Sequence, residues 1–302
     1  MKNNILFKPL VYLAKMYGSK YPKSLVQLRY LLRFHKILNL KNPQTLNEKI
    51  LYLSLMTDTT EWTRLADKFY VRDYIRECGL DNILVNCYGY WNNVSDIDFN
   101  VLPNEFVLKS VQGSGDIIIV KNKNIIDIES IKKELQKIIN TKYGDLEGGK
   151  HYMRIKPAII AEELLHNDKN SQKHSTSIID YKIWCFNGKA HYIWTCCNRD
   201  KSGTEVMTYD LNWISHPEYS IFTKHYREGH ILPKPKNLQK MIEIAETLAS
   251  AFPVVRVDLY NIDGKIYFGE MTFTSLGGLM DFYTEEFQNI TGKMIDLNYK
   301  KI

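Results

Sequence analysis

The sequence predicts an α+β protein with a helical N-terminal region followed by two further α+β modules. Apolar residues recur at helical spacing in the first 80 residues, whereas short β-branched runs bounded by Gly, Asn or Asp alternate with single helices from about residue 83. A length of 302 residues with 44% hydrophobic and 25% charged side chains is typical of a folded chain of about two domains. We therefore expect a helical region over 1–80, a small α+β module over 81–150 and a larger one over 151–302.

The N-terminal region owes its helical prediction to spaced leucines and to one capping signal. The leucines at helical spacing are Leu25, Leu28, Leu31, Leu32 and Leu38. Thr45 followed by Glu48 forms a capping box that opens an apolar run. A further helix is expected over 61–78, with Gly79 at its end.

The two modules carry the remaining expected elements. Strands are expected at 83–88, 105–110, 116–121, 157–165, 176–186 and 189–197, and helices at 130–140 and 237–251. The stretch 144–153 is polar and glycine-rich, which favours a connector or a mobile lid between the modules. A hairpin with Asp263-Gly264 as its turn follows the last helix of this series.

Composition narrows the classes of function. The net charge of +6 comes from scattered lysines, so we expect no nucleic-acid partner. No apolar run approaches the roughly 18 residues that a membrane-spanning helix needs. Five cysteines form no C-x-x-C pair, and their odd number indicates a reducing, cytoplasmic compartment.

The cysteines and histidines are expected to have structural roles. Cys196 and Cys197 adjoin in an expected strand and should therefore point to opposite faces. Because no His stands at ligand spacing, buried small side chains are favoured over a nucleophile or a zinc site. His151, His166 and His174 lie in polar connectors and are expected at the surface.

The first candidate site is a strand, a glycine loop and a second strand. Lys109 ends the first strand, and Gln112, Gly113, Ser114 and Gly115 follow it. Free backbone N–H groups beside a lysine are suited to the oxygens and charge of a polyphosphate. The loop is not a Walker A motif, and when it is taken alone a plain hairpin turn is the better explanation of its glycines.

Two further positions gain meaning only from their order along the chain. Glu162 and Glu163 close an apolar strand, and each is also typical of a solvated strand end. Lys182 lies among alternating strand residues, where a solvent-facing side chain is the ordinary interpretation.

The C-terminal hairpin gives the strongest pattern, with Arg256 and Asp258 on its first strand and Glu270 on its second. Two carboxylates that share a face could hold a divalent cation. A two-residue turn would pair Asp258 with Gly269 and send Glu270 to the other side. The metal site therefore requires a three-residue loop or a bulge.

The ordered set of these motifs resembles the ATP-grasp ligases. The motifs are a helix with Asp67-Lys68 and Val71-Arg72, the strand with Lys109, the glycine loop, Glu162-Glu163, Arg256-x-Asp258 and Gly269-Glu270-x-Thr-Phe. More narrowly, the chain is similar to the subgroup named for teichuronopeptide synthesis, which is met in bacterial capsule and O-antigen polysaccharide loci. The resemblance covers nearly the whole chain.

The resemblance implies an ATP-grasp fold, in which two α+β subdomains clasp ATP, and a role for each matching residue. Lys109 would contact the α and β phosphates, the loop 112–115 would close over them, and Glu162, Glu163 and Leu164 would form the adenine hinge. Lys182 would be a second phosphate contact, with Arg199 and Arg256 ligands for the transferring phosphoryl group or the acceptor carboxylate. Asp258 and Glu270 would hold Mg²⁺. Thr272 stands where the family pattern has Asn, and its hydroxyl is a weaker ligand.

The implied function is an ATP-dependent carboxylate–amine ligase that works through an acylphosphate. Its expected partners are ATP, a uronic acid carboxylate on a glycan or nucleotide sugar, and an amino acid or other amine. One alternative is a glycosyltransferase that uses Asp96 and Asp98, or a sugar kinase. Another is a non-catalytic scaffold on the inner face of the membrane, which the basic, apolar N-terminus would support through Lys2, Lys8, Lys15 and Lys20.

Overall fold

The computed structural model describes residues 8–113 and 115–299. Ser114, one of the expected loop residues, lies outside the described residues. The helices are α1 Lys8–Lys20, α2 Pro22–Phe34, α3 Leu46–Met56, α4 Thr60–Ala66, α5 Val71–Glu77, α6 Ile128–Ile139, α7 Lys150–Met153, α8 Leu238–Ala249 and α9 Glu285–Met294. The strands are β1 Cys87–Trp91, β2 Phe106–Ser110, β3 Ile117–Val120, β4 Ile159–Glu162, β5 Asp180–Phe186, β6 Lys189–Asp200, β7 Gly203–Asp210, β8 Tyr226–Glu228, β9 Val254–Ile262 and β10 Lys265–Thr272.

The expected capping box begins α3. The Thr45 hydroxyl accepts a hydrogen bond from the Glu48 backbone N–H at 3.3 Å, and the Glu48 carboxylate accepts one from the Thr45 N–H at 3.1 Å. These two bonds satisfy backbone donors that the first turn of a helix leaves free. The predicted start of this helix is confirmed.

The single helix expected over 61–78 is wrong, because the chain breaks between α4 and α5. Asp67 leaves the helical conformation, and its carboxylate accepts hydrogen bonds from the backbone N–H groups of Phe69 and Tyr70. The backbone N–H of Lys68 donates instead to the carbonyl of Val111, next to the glycine loop. A short side chain that bonds its own backbone competes with helix continuation, and the apolar periodicity did not reveal this.

Two sheets form the body of the protein. The small sheet has the order β1-β4-β2-β3 and the large sheet the order β10-β9-β5-β6-β7-β8. All neighbouring strands are antiparallel except β7 and β8. The small sheet takes β4 from beyond residue 150, whereas its other three strands precede that residue. The domain boundaries near residues 80 and 150 stay a prediction.

Each sheet buries one face under a helix. Leu135 of α6 packs with Phe106 and Leu108 of the small sheet. Met241 of α8 packs in one cluster with Val257 of the large sheet. The opposite face of the large sheet carries the charged residues Lys182, Arg256 and Asp258 beside the buried Trp184 and Trp194, so it is the face with groups for chemistry.

The C-terminal hairpin combines a two-residue turn with a bulge. Asp263 and Gly264 both have positive φ, 49° and 85°, and Ile262 pairs directly with Lys265. The register then shifts at Gly269, so that Glu270 stands opposite Asp258. The bulge that the sequence required for a shared carboxylate face is present.

One expected strand is displaced. Residues 83–88 were expected to be extended, but β1 begins only at Cys87; the buried Ile83 ends a short helical turn before it, and the half-buried Leu84 follows that turn. Within residues 8–113 and 115–299, no helix is long and apolar enough to cross a membrane.

Candidate active site

The large sheet holds a group of charged side chains, here called the large-sheet cluster. Its members are Asp180, Lys182, Arg199, Arg256, Asp258 and Glu270. Arg256 lies at its centre, where Nε donates to Asp258 Oδ1 at 2.7 Å and one terminal nitrogen donates to Asp258 Oδ2 at 2.8 Å. The same terminal nitrogen also donates to Glu270 Oε1 at 3.2 Å. One guanidinium therefore joins the two expected metal ligands.

The two remaining cations of the large-sheet cluster pair with carboxylates of β5 and β9. The Lys182 ammonium donates to Asp258 and lies 3.6 Å from Asp180 Oδ2. Arg199 donates to the same oxygen of Asp180. Lys182 and Asp258 are directly opposed residues of β5 and β9, which explains why they share one face.

Thr272 and Ser275 complete the surroundings of Arg256. The Thr272 hydroxyl oxygen accepts a hydrogen bond from Arg256 at 3.1 Å, and the hydroxyl donates to Glu270 Oε1 at 3.1 Å. The Ser275 oxygen accepts from the other terminal nitrogen of Arg256 at 2.6 Å. The structure thus brings Asp258, Glu270 and Thr272 together, as the hairpin pattern required.

The carboxylates of the large-sheet cluster differ in environment. Asp258 is buried, with 2% of its side chain exposed, and burial raises its pKa against the opposing charges of Arg256 and Lys182. Glu270 is 38% exposed at its side chain. Burial also tends to raise the pKa of Glu270, but the charges of Lys182, Lys68 and Arg256 outweigh that effect and lower the pKa to about 2. Glu270 is therefore ionised at neutral pH.

A smaller group, the small-sheet cluster, consists of Arg72, Lys109 and Glu162. Lys109 Nζ lies 2.6 Å from Glu162 Oε2, and a terminal nitrogen of Arg72 lies 3.3 Å from Glu162 Oε1. Lys109 and Glu162 stand on the neighbouring strands β2 and β4, whereas Arg72 comes from α5. The expected phosphate ligand Lys109 is thus held by a hinge carboxylate in this structure.

The expected hinge residues follow β4. The backbone N–H of Glu163 donates to the carbonyl of Asn86 at 2.9 Å, and the Asn86 side-chain amide donates back to Glu163 Oε2 at 2.6 Å. These bonds fix the chain that leaves the small sheet toward Leu164. A fixed backbone at a strand end is a suitable edge for a planar base.

The glycine loop is closely packed at Gly113. A Cβ there would lie 2.3 Å from Asp116 Oδ2 and 2.4 Å from Ser110 Oγ, so a larger residue would have to displace these two side chains. Gly115 has a φ of 84°, a conformation that glycine adopts without strain. Gln112 is 1% exposed, and neither polar atom of its side-chain amide has a hydrogen-bond partner among the described residues.

Lys68 is a candidate residue to which the sequence assigned no role. Its ammonium donates to the carbonyl of Gly113. Burial lowers the pKa of Lys68, and the charge of Glu270 opposes this shift. Lys68 therefore links the helical region to the glycine loop, and its positive charge stabilises the ionised carboxylate of Glu270 on β10. The break in the helix after α4 places Lys68 beside the loop. In the sequence, Asp67 could have indicated this break, because a short acidic side chain can accept hydrogen bonds from the backbone that follows it.

The residues fit the groups that the family implies. Gln112 offers an unpartnered amide beside the glycine loop, and a polyphosphate is an anion that Lys68, Lys109 and Lys182 could neutralise. Two carboxylates and a hydroxyl are hard oxygen donors of the kind that Mg²⁺ prefers. Both oxygens of Asp258 already accept hydrogen bonds from Arg256, so a bound cation would share that carboxylate with the guanidinium.

The expected surface position of His151 is wrong. His151 has no exposed surface, its ring meets that of Trp62 edge-on at 5.5 Å, and burial lowers its pKa to about 3. The polar composition of the connector concealed this, because the burial of His151 comes from its packing against Trp62, a residue distant in sequence. Tyr152, the next residue of α7, is in electrostatic range of Glu270.

Cys197 is buried, as expected, but a histidine distant in sequence lies near it. Glu205 accepts a hydrogen bond from the Asn198 amide at 2.9 Å and lies 3.2 Å from His230 Nδ1 and 4.0 Å from Cys197 Sγ. The ligand atoms of Cys197, Glu205 and His230 all lie within 4.8 Å of one another. These side chains already bond one another, so we interpret the group as a hydrogen-bonded support between β6, β7 and the segment after β8.

The sequence comparison gives the family. Residues 48–296 match the family model described as TupA-like ATPgrasp, and the chain therefore belongs to the TupA-like ATP-grasp family. The match includes every candidate site residue of both clusters and the glycine loop. No protein of curated function matches the sequence.

Solved structures of other ATP-grasp proteins are similar to this chain at low identity. D-alanine–D-alanine ligase from Bacillus anthracis has a TM-score of 0.46 and 13% identity, over 77% of this chain and 64% of that chain. Phosphoribosylamine–glycine ligase from Thermotoga maritima has a TM-score of 0.41 and 13% identity, over 70% of this chain and 48% of that chain. The chain thus spans less than two thirds of the length of either ligase.

Proposed function

We propose that this protein is an ATP-dependent, ADP-forming ligase that joins a carboxylate to an amine. The observation that carries the proposal is the alignment of Asp258 and Glu270 on one face of the hairpin, beside Arg256 and Lys182. Such a group can position and neutralise a transferring phosphoryl group without a protein nucleophile. Membership of the TupA-like ATP-grasp family supports the same proposal.

The proposed chemistry has two steps. A carboxylate oxygen of the substrate attacks the terminal phosphorus of ATP, the bond from that phosphorus to the bridging oxygen breaks, and ADP leaves. The amine nitrogen then attacks the acyl carbon of the acylphosphate, phosphate leaves with its oxygen, and the amine loses a proton. Both steps gain mainly from positioning and from charge neutralisation.

In this proposal each cluster has its own task. Lys109 and the loop of Gln112, Gly113, Ser114 and Gly115 bind the α and β phosphates. Glu162, Glu163 and Leu164 form the adenine hinge. Lys182, Arg199 and Arg256 bind the terminal phosphate and the acceptor carboxylate. Asp258, Glu270 and Thr272 hold Mg²⁺, which when bound neutralises phosphate charge.

We further propose the class of the substrates and the compartment. The carboxylate is a uronic acid of a bacterial surface polysaccharide or of its nucleotide-sugar precursor, and the amine is an amino acid or a related amine. This part rests on the family's setting in polysaccharide loci. ATP and sugar precursors are cytoplasmic, and the free cysteines suit that compartment. The boundaries near 80 and 150 would separate the helical region from the two clasping subdomains.

Hydroxylamine trapping tests the reaction. The protein is incubated with ATP, Mg²⁺, hydroxylamine and a panel of uronic acids, nucleotide uronates and amino acids. We expect ADP, phosphate and a hydroxamate to form in equal amounts, and only with the correct carboxylate. Glu270→Ala should abolish this, whereas the exposed substitution Glu243→Ala on α8 should not.

Other products would contradict the ligase proposal. AMP would indicate adenylation at the α phosphate. ADP with a stable phosphorylated sugar and no hydroxamate would favour a kinase. Turnover of a sugar nucleotide without ATP would favour a glycosyltransferase.

A further inference from the structure

The first two helices, α1 and α2, are separated by Tyr21 alone and expose an unusual density of apolar side chains. Nine large apolar or aromatic residues between positions 11 and 37 are exposed: Val11, Leu13, Met16, Tyr17, Tyr21, Leu28, Leu31, Leu32 and Ile37. The much longer remainder of the described chain, 38–113 and 115–299, exposes eleven such residues. A concentration of this kind marks a surface that another body covers.

These side chains form two stripes with helical spacing. Leu13, Met16 and Tyr17 follow one another at i, i+3 and i+4 on α1, and Leu28, Leu31 and Leu32 do so on α2. The opposite face of α2 carries the buried residues that attach this helix to the rest of the protein, Leu25, Val26 and Tyr30. Helix α2 is therefore apolar on two faces, and only one of them is used by the fold. We call these two exposed stripes of α1 and α2 together the hairpin face, which is distinct from the β9–β10 hairpin.

The charged side chains of α1 and α2 themselves are all cations. The first 47 residues contain nine Lys and Arg side chains and no Asp or Glu. Some of these cations are used by the fold, since Arg33 pairs with Asp281 and Lys36 with Glu285. Within the described part of the chain, Lys15 and Lys23 form no ion pair. They remain free to meet an external anion.

We propose that the hairpin face docks on an anionic lipid bilayer, with α1 and α2 lying in the plane of the interface. Apolar side chains would enter the boundary between headgroups and acyl chains, while lysine stems extend to bring their ammonium groups to the lipid phosphates. The neighbouring lysines, Lys15 and Lys23, would strengthen binding to a negatively charged leaflet.

A second copy of this chain is the less favourable occupant. Self-association through the hairpin face would bring two uniformly basic segments together, and like charges across an interface oppose binding. An anionic surface satisfies both the apolar stripes and the cations. The proposal does not depend on the ligase reaction, because no residue of the two clusters belongs to the hairpin face.

Vesicle co-sedimentation of the full chain tests this proposal. We expect the protein to pellet with phosphatidylcholine vesicles that contain phosphatidylglycerol, and to remain in the supernatant with pure phosphatidylcholine. Raising the salt concentration should reduce the bound fraction, because the lysine contribution is screened. The double substitution Leu28→Ser and Leu32→Ser should weaken partitioning at least about tenfold, since both side chains would otherwise be buried in the interface.

The matched control replaces two isoleucines elsewhere that are at least as exposed, Ile119→Ser and Ile125→Ser near the small sheet, and should leave partitioning unchanged. Circular dichroism of each variant checks that the fold is kept. Equal partitioning of both double variants, or no binding to anionic vesicles by the wild-type chain, would overturn the proposal. A dimer in solution that the Leu28→Ser, Leu32→Ser pair dissociates, without vesicle binding, would identify a second copy as the occupant instead.

Discussion

The small-sheet cluster and the large-sheet cluster differ in charge balance. In the small-sheet cluster the single acid Glu162 faces two cations, Lys109 and Arg72. In the large-sheet cluster three acids face three cations. A surplus of positive charge can attract phosphate directly, whereas a balanced group gains little from an added anion unless a cation comes with it. This difference favours the large sheet for the proposed Mg²⁺ and the small sheet for the proposed first phosphate contacts.

The largest expected effect comes from removing one charge of the large-sheet cluster. Asp258→Asn leaves Arg256 without its two-bond partner and Lys182 without its nearest carboxylate. Uncompensated buried charges of this kind cost about 3–5 kcal/mol of unfolding free energy. Urea unfolding of the variant measures the loss. Glu243→Gln, an exposed partner of Lys240, is the control and should change stability by less than about 0.5 kcal/mol. A loss as small as that of the control would mean that the cluster is not balanced as described.

The small-sheet cluster should respond in affinity and not in stability. Lys109→Ala removes a partly exposed cation, so nucleotide binding should weaken by about 1.5–3 kcal/mol, at least about tenfold in Kd. Isothermal calorimetry with ATP and Mg²⁺ checks this. Lys133→Ala on the exposed face of α6 is the control. An unchanged Kd for Lys109→Ala would remove the phosphate contact from the proposal.

A substitution at the Gly269 bulge tests whether the charge balance of the large-sheet cluster depends on the pairing of β9 with β10. A Cβ at position 269 would lie 2.9 Å from the carbonyl oxygen of Asp258. Gly269→Ala should therefore displace Glu270 from Asp258, with a loss of about 1 kcal/mol in stability and a much larger loss of Mg²⁺-dependent turnover. Thermal unfolding and ADP release measure the two effects. Lys265→Ala, at the exposed start of β10, should change neither.

The smallest expected effect is on acid stability. The pKa of Glu270 is lowered to about 2 from an ordinary value of 4.5, so its contribution to stability is complete above about pH 4.5 and is lost as the pH falls toward 2. Glu270→Gln has no such group to protonate. Between pH 5 and pH 3, its urea midpoint should therefore fall less than that of the wild-type chain. Parallel pH profiles would contradict the ion pairing of Glu270.

The sequence predicted those parts of the molecule that depend on local pattern. The capping box of α3, strands β2 and β3, helices α6 and α8 and the Asp263-Gly264 turn follow from spacing and residue type alone. The choice between the two registers of the β9–β10 hairpin does not follow from spacing, because alternation predicts which face a side chain occupies only when every bulge is known. Family resemblance supplied what periodicity could not, namely that Glu270 should face Asp258.

Long-range contacts explain what the sequence did not predict. Arg72 reaches Glu162, and Lys68 reaches the glycine loop, only because the chain breaks after α4 and returns to that loop. His151 is buried because α7 folds against Trp62, which lies far away in sequence. One amino-acid sequence does not reveal which distant residues come into contact in the fold. The polar composition around His151 therefore predicted the wrong position for it.

The bulge at Gly269 also constrains how this hairpin can change in evolution. Eleven residues separate Asp258 from Glu270, and two of them form the turn while one forms the bulge. Deleting one residue from this segment, or adding one, would turn Glu270 to the opposite face of the sheet while leaving its identity intact. We therefore expect insertions and deletions to be tolerated here only in compensating pairs, so the shared face depends on the length of the segment as well as on the two carboxylates that it separates.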